Sequence, residues 1–296
     1  MIIDCHTHAY PAEVVARPRA WALEHNEPHW AELVDPTDRT SIQGWSDPDS
    51  MLAAMDAADV DRAALLGWYW ENESTCRWHN AAMAEWIRHA PDRFIGFAAI
   101  HPSADVREQL ESSKAMGFSG VGELHLAVQG WDLDSADWQH LTDWCTRENW
   151  PINFHVTEAA GIPQPGSVAT PLEWFIRIAQ RAPDLKIILA HWGGGLPFFT
   201  QNPRLRPYLH NVYYDTAASP LLYEPSIFRS VIDLVGAKHV VFGSDYPLRI
   251  YPREQTSPDM QRYVHAIHDE AQLSLAETEA VMGENFARLL PPEQHK

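Results

Sequence analysis

At 296 residues, 45% of them hydrophobic and 21% charged, the chain has ordinary globular composition and the length of one large barrel domain or two smaller ones. Its 22 basic and 40 acidic residues give a net charge of −18, which argues against nucleic acid and anionic membranes as partners. A small anionic substrate stays compatible with that charge, because a bound metal ion governs the field around it.

Short apolar, β-branched runs alternate along the chain with longer stretches of helical period. The first run, 2–6, leads into Thr7-His8. Segment 9–49, rich in Pro, Trp, Asp and His, is too long for an ordinary connection and is expected to be a lid or substrate loop. Further strands are predicted at 62–68, 94–100, 120–126, 152–156, 186–190, 212–215 and 240–243. Helical spacing covers 51–58, 75–90, 106–116, 135–148, 171–181, 225–235 and 258–271, and more weakly 202–209. Asp47-Pro48, Ser103, Asp134-Ser135, Thr170-Pro171 and Ser257-Pro258 supply helix-start signals. A last helix, 275–290, is expected to pack outside the barrel. Most strands are apolar on both faces, as in a buried parallel sheet. Eight strands each followed by a helix read as a single (β/α)8 TIM barrel over 1–296. An open doubly wound sheet would want a glycine-rich phosphate turn after its first strand, where this chain has His6-Thr7-His8.

Cys5, Cys76 and Cys145 are odd in number and have no CxxC spacing, so no disulfide framework is expected and a reducing compartment fits. The N-terminus lacks a basic region followed by an apolar stretch, and no apolar run approaches the roughly 18–20 residues of a membrane span. A cytoplasmic location is therefore expected. A homodimer is the default assembly, since closed dimers are the commonest.

Barrel active sites form at the C-terminal ends of the strands. The residues placed there are His6 and His8 on the first strand, Glu123 with His125 on the fourth, His155 on the fifth, His191 on the sixth and Asp245 on the eighth. All are metal-ligand types that a barrel brings together. Residues i and i+2 of a strand share a face, so His6 and His8 are expected to aim into the mouth and leave Cys5 and Thr7 on the other side. Imidazoles and carboxylates in this number suit zinc, manganese, iron or nickel, with zinc the first expectation and positions left open for water. Asp4 is expected to support the first turn. Among candidate substrate contacts, Arg249 could pair with a carboxylate, Trp68 and Trp70 end the second strand beside Tyr69, Trp192 follows His191, and His101 follows the third strand. For any one of the 13 tryptophans, packing a helix on the barrel is the ordinary role. Gly193-Gly194-Gly195 is expected to allow a close turn behind His191.

The pieces Ile3-Asp4-Cys5-His6-Thr7-His8, Asn153-Phe154-His155, Leu189-Ala190-His191-Trp192-Gly193-Gly194 and Phe242-Gly243-Ser244-Asp245-Tyr246-Pro247, with the tail 282–290, resemble the amidohydrolase superfamily. The resemblance is to its amidohydrolase-related group, which includes aromatic-acid decarboxylases. It implies a distorted (β/α)8 barrel and a divalent metal with a bound water. His6, His8, His155 and Asp245 would be ligands, His191 a second-metal ligand or a free acid/base, and Asp245 the proton acceptor. Where many members carry a modified bridging lysine this chain has Glu123, similar to the TatD-like hydrolases. One arrangement has two ions, His6, His8 and Asp245 on one and His155 and His191 on the other, with Glu123 between. In another, one ion is bound and Glu123 orients a ligand imidazole; a structural Glu123 is the third.

Glu123 weights the functional expectation toward hydrolysis of an amide, lactone or ester by metal-activated water, with Asp245 or His191 moving the proton. A nonoxidative decarboxylase of an aromatic or unsaturated acid is the alternative, and a non-catalytic metal- or ligand-binding barrel a minor one.

Overall fold

The computed structural model describes residues 1–103, 105–161 and 166–294. Eight parallel strands pair in chain order: β1 (Ile3–Thr7), β2 (Arg62–Leu66), β3 (Phe94–Ala98), β4 (Phe118–Leu124), β5 (Ile152–Phe154), β6 (Ile187–Leu189), β7 (Val212–Asp215) and β8 (Val240–Val241). The circuit closes on β1. Thr7 bridges Tyr246, Cys5 N donates to Phe242 O at 2.8 Å, and His8 N donates to Tyr246 O at 2.8 Å. This is the expected distorted (β/α)8 barrel. Several ladders stop before the apolar runs do. Residues such as Trp68, Ile100 and Val156 stay buried beyond the last strand pair, where the chain splays into the mouth.

The insertion after β1 folds as three short helices, α1 (Ala12–Ala16), α2 (Pro18–Glu24) and α3 (Pro28–Val34), rather than as an open loop. Tyr10, Trp21 and Trp30 pack there against Trp68, Tyr69 and Trp70 from the end of β2. Buried Glu27 accepts the backbone N–H groups of Glu71 at 2.6 Å and Asn72 at 3.2 Å. Arg249 donates its guanidinium to the Ser41 carbonyl and its N–H to Ile42 O, clasping the insertion to the far side of the mouth.

The outer helices are α4 (Pro48–Ala57), α5 (Glu73–His89), α6 (Val106–Ala115), α7 (Leu126–Gln129), α8 (Ala136–Arg147), α9 (Leu172–Arg181), α10 (Ser219–Leu222), α11 (Ile227–Val235) and α12 (Met260–Glu270). Asp47 caps α4 and Ser135 caps α8 as their start signals imply, each accepting a first-turn N–H. At two others the true cap lies further on: Asp105 rather than Ser103 for α6, and Asp259 rather than Ser257 for α12. The weak stretch 202–209 forms only a 3-10 turn, Arg206–Leu209.

The tail corrects one expectation. α13 (Leu275–Glu279), a π-helical turn (Ala280–Glu284) and α14 (Asn285–Leu289) follow one another. Phe286, Leu289 and Leu290 do not pack outside. They join Ile3, Cys5, Ala64, Leu66, Phe97 and Val241, alternate strand residues that fill the barrel interior. The Phe286 and Phe97 rings lie 5.9 Å apart. Without this plug those aliphatic side chains would meet water, and each buried Phe or Leu contributes roughly 1.5–3 kcal/mol. Cys5, Cys76 and Cys145 are buried and unpaired. Among the described residues no helix is long and apolar enough to cross a membrane.

Candidate metal centre

β1 delivers its histidines through an irregularity. Asp4 pairs with Ala63 and Thr7 with Leu65, so three steps on β1 match two on β2, and the extra residue is a β-bulge. Simple alternation is thereby broken: Cys5 lies in the interior layer beside Ile3, contrary to expectation, while His6 and His8 still face the mouth. Asp4 fixes the bulge, accepting the N–H of His6 and of Ser244, each at 3.0 Å. Burial, offset by these bonds, raises its carboxyl to about 6.

β4 carries a second irregularity, between Val121 and Leu124, which presents Glu123. Gly122 has φ +141°, and a Cβ there would come within 2.7 Å of Asn153 O on β5. Only glycine lets the two strands approach so closely. Behind His191, Trp192 and Gly193 to Gly195 all have positive φ, making the close turn expected from the glycine run.

His6 Nδ1–H donates to Asp215 Oδ2 at 2.9 Å, and His8 Nδ1–H to Leu66 O at 3.3 Å. Each ring therefore turns Nε2 to the centre, and the two Nε2 atoms are 3.2 Å apart. Asp245 Oδ1 stands 3.7 and 3.6 Å from them, and Glu123 Oε2 stands 3.8 and 3.7 Å away. Lone pairs and carboxylates crowded in this way repel unless something positive lies among them. Burial alone would lower the basicity of His6, yet Asp215, Glu123 and Asp245 overrule it and push it up to about 10. Burial and then the neighbouring His6 drive His8 down to about 3. Asp245 is raised to about 7, by burial first, against the pull of His6. A divalent ion among these atoms would supply the same positive charge, and this donor set fits one.

The remaining ligand types gather beside it. Glu123 Oε1 lies 2.8 Å from His155 Nδ1 and 3.8 Å from His191 Nε2, and the His191 Nδ1–H donates to Ala217 O at 3.0 Å. His6, His8 and Asp245 form one trio within coordinating reach, and Glu123, His155 and His191 another. Asp245 and His191 are 5% and 9% exposed, so the centre is enclosed.

Asp215 and Asn153 were absent from the sequence-derived site. Asp215 Oδ2 accepts from His6 Nδ1 and, at 3.1 Å, from Asn153 Nδ2; its Oδ1 accepts the N–H of His191 at 2.9 Å and of Ala217 at 3.0 Å. Burial works to raise this carboxyl, but His6 brings it below the usual range. The signal was available: Asp215 is a polar residue ending a strand, as Asp245 nearly is.

The predicted substrate contacts divide. Trp68 borders His8, ring centroids 5.3 Å apart. Trp70 is wholly buried with its indole N–H on His79, and Trp192 is 1% exposed with its N–H on Ser219 and its ring against Phe228. Both are spent in packing. His101 bonds Ser103 through Nδ1 beyond the end of β3. Arg249 faces the Ser41 carbonyl, not an open pocket.

An eight-stranded barrel with histidines and carboxylates converging at its C-terminal mouth defines a metal-dependent barrel enzyme. The chain belongs to the amidohydrolase family, whose model matches residues 3–291. It is similar to 2-amino-3-carboxymuconate-6-semialdehyde decarboxylase of Dictyostelium discoideum, 25% identical over 244 residues, 68% of this chain and 67% of that one. In fold it is similar to 5-carboxyvanillate decarboxylase of Novosphingobium aromaticivorans, solved with manganese and 4-hydroxy-3-methoxy-5-nitrobenzoic acid, with a TM-score of 0.72, 18% identity and coverage of 98% of this chain and 95% of that one. The enzyme of the same name from Sphingomonas paucimobilis gives a TM-score of 0.71, 19% identity and coverage of 97% and 98%.

The similarity to a curated decarboxylase overturns the expectation of hydrolysis. Glu123 spans the two trios, its Oε2 3.8 and 3.7 Å from the Nε2 atoms of His6 and His8 and its Oε1 2.8 Å from His155 Nδ1. Zinc is likewise not the ion named for the relative whose metal is stated, which holds manganese.

Proposed function

We propose that this protein is a divalent-metal-dependent nonoxidative decarboxylase of a small aromatic or unsaturated carboxylic acid. The observation that carries the reading is the enclosed cluster of metal-ligand side chains in a chain whose curated relative is a decarboxylase. His6, His8 and Asp245 would hold one ion, manganese first, and Glu123 would orient His155 beside it. When bound, such an ion supplies a fixed positive charge that binds and orients the oxygens of the acid.

The chain's own groups do the rest. Asp215 holds His6 and the backbone of His191 in register. The insertion excludes water, so the substrate carboxylate leaves its hydration shell, which favours departure as carbon dioxide. As the carbon–carboxylate bond breaks, its electron pair stays on carbon, and that carbon takes a proton. His191, its ring held through Nδ1 by Ala217 O and kept neutral at rest by burial, which pushes it down to about 4, would take a proton from solvent on Nε2 and pass it to that carbon.

The test is to incubate the manganese-loaded protein with hydroxybenzoates, carboxyvanillate-type acids and unsaturated dicarboxylic acids, and to quantify carbon dioxide. Stoichiometric release with one acid, lost in His191→Gln, is expected. Consumption of an acid without carbon dioxide would overturn the reading. Metal analysis near one ion per chain is expected; two would return Glu123 to a bridging role.

A further inference from the structure

Among the described residues several buried polar atoms around the mouth lack a partner, and two of them belong to adjacent residues at the end of β2: the Tyr69 hydroxyl and the Trp68 indole N–H. Tyr69 is 1% exposed and Trp68 8%. Their rings stack at 4.4 Å. Trp68 meets His8 at 5.3 Å, and Tyr69 meets His155 at 5.1 Å, so the pair spans both trios of the candidate centre.

Leaving an O–H and an N–H buried without acceptors is costly, and phenylalanine at position 69 would remove one such cost. The atoms that His6, His8, Glu123 and Asp245 turn toward the centre are acceptors, which a cation satisfies. A cation does nothing for Tyr69 and Trp68. An indole N–H can only donate, so its missing partner is an acceptor. Arg249, expected to meet the substrate carboxylate, is engaged with Ser41.

We propose that the Tyr69 hydroxyl and the Trp68 indole N–H form a specificity-determining clasp for an anionic oxygen of the substrate, its carboxylate or its ring oxygen. This rests on the reading that the substrate is a small carboxylic acid. The clasp turns the acid so that its scissile bond faces the metal trio and His191.

Calorimetric titration of the manganese-loaded full chain tests it, with benzoate, resorcinol and 2,6-dihydroxybenzoate as probes. In Tyr69→Phe, binding of at least one probe should weaken about ten-fold, as for a lost charge-assisted hydrogen bond. Loss confined to benzoate and 2,6-dihydroxybenzoate assigns the clasp to the carboxylate; loss confined to resorcinol and 2,6-dihydroxybenzoate assigns it to the ring oxygen. Metal content should be unchanged and Tm unchanged or higher, because an unpartnered hydroxyl has gone. Trp68→Phe should weaken the same probes. Wild-type affinity in Tyr69→Phe for every probe, a fall in its Tm or metal content, or a wild-type protein that binds none of the probes would each overturn the proposal. Weakened binding in Tyr69→Phe without carbon dioxide release from any acid would sink the decarboxylase reading and leave the clasp standing.

Discussion

Replacing Asp215 by Asn removes one charge and keeps the shape. Each carboxylate oxygen takes two donors: Oδ2 serves His6 Nδ1 and Asn153 Nδ2, and Oδ1 serves the N–H groups of His191 and Ala217. The backbone pair cannot turn away, so the asparagine oxygen must stay with it. The new NH2 then confronts two further donors. A buried donor left without an acceptor costs about 1–3 kcal/mol, so a loss of about 3 kcal/mol is expected after partial relaxation. At roughly 2–4 °C per kcal/mol for a domain of this class, Tm should fall by about 6–12 °C. His6 can escape by moving its proton to Nε2, which withdraws the lone pair it offers the metal. Affinity for manganese should therefore fall about 10–100-fold, the usual effect of losing such an orienting partner. Free manganese measured by electron paramagnetic resonance during titration reads the affinity, and calorimetry reads Tm. Manganese affinity within about two-fold of wild type would refute the assignment of Asp215 as the group that sets the His6 tautomer.

Three further outcomes follow from the same structure. Gly122→Ala puts a Cβ against Asn153 O at 2.7 Å and strains a φ of +141°; it should destabilise by on the order of 2–3 kcal/mol and lower metal content, read by calorimetry and elemental analysis. Chelation should lower Tm by about 5–10 °C, since an ion at 100 times its Kd stabilises by about 2.7 kcal/mol; an unmoved Tm would deny a tightly held ion. Burial raises the Glu27 carboxyl from 4.5 to about 7, against the N–H bonds it accepts. The folded state then holds that proton more tightly than the unfolded chain. The contribution is complete below about pH 4.5 and lost as pH rises through about 7. Tm of wild type should fall more steeply than that of Glu27→Gln between these limits, and parallel curves would contradict this.

Much of this architecture could be read from residue order alone. The eight strands were visible because parallel strands buried on both faces read as short apolar runs. His6, His8, His155, His191 and Asp245 could be gathered because a barrel brings its strand ends to one mouth. What stayed hidden depends on register. The bulge that lets His6 face inward as well as Cys5 has no sequence marker, because alternation on one strand says nothing about its partner's stagger. The tail helix looked like an ordinary amphipathic helix, and only the shape of the barrel end decides that Phe286 enters it. Asp215 was overlooked although it ends β7, because its value lies in holding a ligand rather than in being one. Trp70 and Trp192 were legible as aromatic, but whether an indole faces substrate or a neighbour depends on the path of the insertion.

In the proposed reaction this centre removes carbon dioxide from an acid and returns a proton to the vacated carbon. The most direct measurement is turnover of the accepted acid in deuterium oxide enriched in oxygen-18. One deuterium at the vacated carbon for each carbon dioxide released, and no oxygen-18 in the organic product, is the expected result. Oxygen-18 in the organic product, without carbon dioxide, would contradict it.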